Sequence, residues 1–131
     1  MSQMKVLFRQ YVNLINQGDI NVASVFDYMV KTVNDSAVSE AVSIFESHFQ
    51  TLRQSFPVDN TQLNATHITA RDAALSAFMN KVMDLERNTE CADDLQVKLE
   101  TLFDKYVGEN ERTSYDKTTA MLIEIFTGMK N

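Results

Sequence analysis

The chain contains one cysteine, one proline and three glycines in 131 residues. Each shortage excludes something. Cys91 alone cannot form an intrachain disulfide, and with only two histidines beside it the chain falls short of the four Cys and His ligands of a structural zinc centre. Cys91 reads as a small residue near a helix junction rather than a reactive thiol. Gly18, Gly108 and Gly128 are isolated, so neither G-x-x-x-x-G-K-S/T nor G-x-G-x-x-G is present, and no cradle of backbone N–H groups is available for a nucleotide phosphate by those routes. Basic residues are in deficit, 12 Lys and Arg against 18 Asp and Glu, for a formal charge of −6. No basic cluster interleaved with aromatics offsets this, which argues against a nucleic-acid groove. No apolar run approaches the roughly 20 residues that span a bilayer, and MSQMKVLFRQ lacks the apolar stretch of a signal peptide. Membrane insertion is not expected, and the expected location is cytoplasmic.

What remains is rich in Ala, Leu, Met, Glu, Lys and Gln, which favours long helices in one domain spanning 1–131. Leu7, Phe8, Tyr11, Leu14 and Ile15 share one face of a helix expected over about Ser2 to Gln17, and Gly18-Asp19 interrupts it. A second helix is expected to start at Asp19 as N-cap, to carry Val22, Val25, Phe26, Met29 and Val33, and to end at Asn34-Asp35-Ser36. Those three short polar side chains compete for backbone hydrogen bonds. Gly18, Asp19, Asn34 and Ser36 are therefore the candidate hinge and capping residues. From Ser36 to Phe56, closed by Pro57, the stripe Val38, Ala41, Val42, Phe45, Phe49, Leu52 and Phe56 is uninterrupted.

The pattern resumes with Leu63, His67, Ala70, Ala74, Ala77, Phe78, Val82 and Leu85, with Thr69 and Asp72 as a capping pair if this helix starts late. Its alanines suggest close approach by a neighbour and a central place in the packing. Arg87 to Asp94 (RNTECADD) reads as a bend or loop. Leu95, Leu99, Leu102, Phe103 and Tyr106 make the next stripe. Counting on through Asn110, Thr113 and Lys117 reaches Met121 in phase, which favours one long helix through Gly108. Its last stripe, Met121, Leu122, Ile125, Phe126 and Met129, then needs a partner and is the candidate interaction surface.

The chemistry-bearing residues form no constellation. Glu46 and His48 are two apart and point differently from a helix, and His67 has no carboxylate three residues upstream, so the Glu-x-x-His pattern of a bundle metal site is missing. No G-x-S-x-G turn presents a nucleophile. No catalytic, cofactor-binding or metal residues are assigned, and no cofactor is expected.

Tyr11, Val12, Asn13, Ile15, Gly18 and Asp19 resemble the first helix of the middle domain in guanylate-binding proteins and the related atlastins, dynamin-superfamily large GTPases. Asn34, Ala37, Val38 and Ala41 resemble the next helix start in the guanylate-binding proteins. His67, Ala74 and Phe78 are similar to the helix that follows, histidine included. Leu95 to Asn110 resembles the helix ending in an aromatic-rich segment and Asn, and Ser114, Asp116, Ala120, Leu122, Ile125 and Phe126 look closer to guanylate-binding proteins than to atlastins. Ile20-Asn21 departs from the family's Leu-Pro, a GTPase head is expected to be absent from this chain, and the ending Met129-Lys130-Asn131 is not a lipidation box.

The expected fold is all-α, an elongated helical bundle with a three-helix core, a long C-terminal helix and no sheet. The resemblance implies a non-catalytic stalk whose partner is a GTPase head of the same family, in cis or in trans, and which couples GTP-driven head rearrangement to oligomerisation or to membrane or partner action. Homo-oligomerisation belongs with that expectation. The alternative is an autonomous adaptor that binds a helix or another copy of itself through the Met121 to Met129 stripe.

Overall fold

The computed structural model describes residues 9–10 and 22–130. Of the expected helix over 2–17 only Arg9 and Gln10 are described, both helical and exposed; the rest of it, with the hinge candidates Gly18 and Asp19, lies outside the described residues. Three long helices follow: α1 (Val22–Arg53), α2 (Asn60–Lys81) and α3 (Thr89–Lys130), with a short 3-10 turn at Leu85–Arg87 before the last. There is no strand among the described residues.

α1 corrects the expected break at Asn34-Asp35-Ser36. It runs unbroken for 32 residues, about 48 Å at 1.5 Å per residue, so Asn34 and Ser36 stand inside a helix and cap nothing. The reason lies outside the segment. Asn34 is 3 % exposed, in phase with the buried Val30, Val33, Ala37 and Val38, and its carboxamide is engaged elsewhere. It donates to the Met83 carbonyl at 2.9 Å and accepts from the Met83 N–H at 2.7 Å. A side chain so occupied does not compete with its own helix. α1 ends at Arg53, earlier than the expected Phe56, as the Ser55 and Phe56 N–H groups turn back onto the carbonyls of Leu52 and Arg53. The Phe56–Pro57 peptide is cis.

α2 starts early. Asp59 is its N-cap, accepting from the Gln62 N–H at 2.8 Å, so Thr69 and Asp72 do not cap it. Thr69 instead donates to the Ala65 carbonyl within the helix. The helix stops at Lys81, leaving Val82 and Leu85 in the connection. Asp84 takes left-handed backbone geometry there, with φ of 49°. This reverses the chain before RNTECADD, so only Arg87 and Asn88 of that segment precede α3. Glu90 lies in the first turn of α3, where the helix dipole favours acids. Polarity there marks a helix start rather than a loop.

The core gathers Ala37, Val38, Ala41, Phe45, Phe49 and Leu52 of α1, Leu63, Ala70, Ala74 and Phe78 of α2, and Leu95, Leu99 and Tyr106 of α3. α1 packs against both other helices, whereas α2 and α3 barely meet. The central helix is therefore α1 and not α2. Small residues are fully buried on both, Ala37 and Ala41 facing the same core as Ala70 and Ala74, so the close approach expected of α2 is shared by α1. α2 runs back along α1, joined across the outside by Lys81 and Glu40 at 3.1 Å. α3 then rises beside α1 until Glu109 reaches Arg53 near the end of that helix.

Candidate functional site

α3 is the longest helix, 42 residues or about 63 Å, and it passes straight through Gly108. Its level relative to α1 is fixed by contacts one to two turns apart. Tyr106 is fully buried, with its ring stacked on Phe49 at 4.7 Å and 8°. Its hydroxyl accepts a long bond from Gln50 Nε2 at 3.3 Å. Burial raises the Tyr106 pKa from its ordinary value, so the phenol stays protonated. Arg53 forks onto both carboxylate oxygens of Glu109 and lies 5.8 Å from the Tyr106 ring centre. That guanidinium holds the Glu109 carboxyl below its usual pKa, chiefly through the hydrogen bond.

One turn beyond Tyr106, Asn110 is 5 % exposed and binds one residue of the α1–α2 connection by both backbone groups. It accepts from the Val58 N–H at 2.8 Å and donates to the Val58 carbonyl at 2.9 Å. The pairing repeats what Asn34 does with Met83 at the other end of α2. The two connections that flank α2 are thus each tied by one buried carboxamide. Sequence reasoning did not find these roles. The available signal was an asparagine in phase with an apolar stripe: Asn34 with Val30 and Ala37, Asn110 with Tyr106.

Above Asn110 the helix leaves the bundle. From Glu111 to Met129 no residue is buried, and only Thr113 and Thr119 are half-buried. The projecting part is about 30 Å long. It contains every member of the expected stripe in the open: Met121, Leu122, Ile125, Phe126 (60 % exposed) and Met129 (74 %), with Tyr115 and Ile123 also exposed. From Thr118 to Met129 the only charge is Glu124. Seen down the axis, Glu124 and Lys117 lie opposite the line of Tyr115, Leu122 and Met129.

His67 occupies a second notable place. Its ring stacks on Phe103 at 3.9 Å and 10° and meets Phe45 edge-on at 5.9 Å. Burial lowers its pKa, Arg71 adds to the effect and Glu100 opposes it. A neutral aromatic plug between α2 and α3 follows. Burial likewise pushes the Cys91 thiol up, away from thiolate, while its S–H donates to the Asn88 carbonyl.

The groove between α1 and α2 is lined by Ser47, His48, Thr51, Ser55, Gln62, Thr66 and Thr69 among others. The Ser47, Thr51 and Thr69 hydroxyls donate to carbonyls of their own helices, so these three donors are not turned toward a ligand. Among the described residues, no three His, Cys, Asp or Glu side chains gather as a metal site, and no helix is long and apolar enough to cross a membrane. What the geometry offers is a braced bundle and an uncovered apolar helix.

A family model described as the C-terminal domain of guanylate-binding proteins matches residues 2–131. No curated protein and no solved structure matches the chain.

Proposed function

Starting from the fact that this chain belongs to the guanylate-binding protein C-terminal domain family, we propose that it acts as a non-catalytic helical stalk, docking on a GTPase head and passing the head's rearrangement along its length. The observation that carries this reading is the pair of carboxamide ties, Asn34 to Met83 and Asn110 to Val58. A transmitting element must not dissipate a displacement by letting its helices slide. Ties at both ends of α2, with the aromatic stack of Phe49 and Tyr106 between α1 and α3, make the three helices move as one body. α1 runs through Asn34 to Ser36 without interruption. A head preceding the bundle would meet the start of α1, where Val22 and Phe26 are exposed.

The test is direct mixing of the chain with a GTPase head from the family, without nucleotide, with GTP, and with GDP and aluminium fluoride as transition-state mimic. The stalk reading expects affinity to differ between states by tenfold or more, about 1.4 kcal/mol of differential contact. Equal affinity in all three states, or none, refutes it.

A second reading, an adaptor that works without a head, is favoured by one observation: the apolar stripe of α3 lies open along the whole projecting segment. Its location is at the far end of the bundle from the start of α1.

A further inference from the structure

We draw no further inference here: the strongest candidate, the open groove between α1 and α2 lined by Ser47, His48, Thr51, Gln62 and Thr69, carries nothing because nothing in the structure shows what would occupy it.

Discussion

Asn110 and Val58 are 52 residues apart in sequence, and the carboxamide of one satisfies both backbone groups of the other. This is a complete exchange: the acceptor oxygen takes the N–H and the NH₂ gives to the carbonyl. An apolar side chain at position 110 could fill the space but could not replace either bond.

Asn110→Ala should cost about 2–3 kcal/mol, the loss of two bonds in a partly buried setting. Equilibrium urea denaturation measures it. Asn110→Asp is the sharper variant. It keeps the acceptor for the Val58 N–H but sets a carboxylate against the Val58 carbonyl, which raises its folded-state pKa above the unfolded value. Its stability should therefore be best below the unfolded aspartate pKa of about 3.9 and should decline as pH rises through the folded value, relative to wild type. Asn34→Ala should act similarly through Met83. Since the two ties flank opposite ends of α2, the losses should add within about 0.5 kcal/mol.

Glu109 is the neighbour that looks stronger and matters less. Its forked contact with Arg53 is conspicuous, yet both side chains remain in touch with water, at 23 % and 41 % exposure. Solvent screening reduces the value of such a pair. Glu109→Gln should lower the urea midpoint less than Asn110→Ala does. Because Glu109 has a depressed pKa in the folded chain, the stability it adds is present above its ordinary 4.5 and is lost as pH falls through the folded value. The wild-type advantage over the Gln variant should vanish in acid.

His67 carries the opposite charge type and needs its own sign. Burial against aromatic rings holds its pKa below 6.5, so the unfolded chain takes up the proton more readily than the folded one. The stability due to the neutral ring is complete above about pH 6.5 and declines as pH falls through the folded pKa. His67→Phe should remove this decline. Urea midpoints of the two chains, compared between about pH 7.5 and about pH 5, should diverge toward acid in favour of the variant. The His67 Cε1 proton should titrate in NMR with a midpoint below 6.5.

Gly108 lies within α3 with nothing inside 4 Å of where a Cβ would stand. Helical backbone there has no need of glycine. Gly108→Ala should raise stability by about 1 kcal/mol, visible as a higher thermal midpoint with unchanged helicity. A loss instead would mean that the straight passage of α3 through this position is wrong.

The helical stripes could be read from the sequence because burial imposes a period, as with Val38, Ala41, Phe45, Phe49 and Leu52. The continuity of α3 was legible for the same reason, since Tyr106, Asn110, Thr113 and Lys117 keep phase with Met121. Asn34 was not legible. Its flanking residues, Asp35 and Ser36, make it look like a break, and the group that decides otherwise is 49 residues away at Met83. The centrality of α1 was hidden too, because alanines mark close approach without saying which of two partners is flanked on both sides. Nor does an apolar stripe state whether it is covered. That depends on how far α3 outruns α1, which the register of Tyr106 on Phe49 and of Glu109 on Arg53 fixes.

That register has a mechanical side. The free part of α3 is an arm about 30 Å long whose fulcrum is the Asn110–Val58 tie, so a tilt of about 10° at its base carries Met129 through about 5 Å. A small angular movement at the base would be magnified at the tip into a displacement as large as a helical turn.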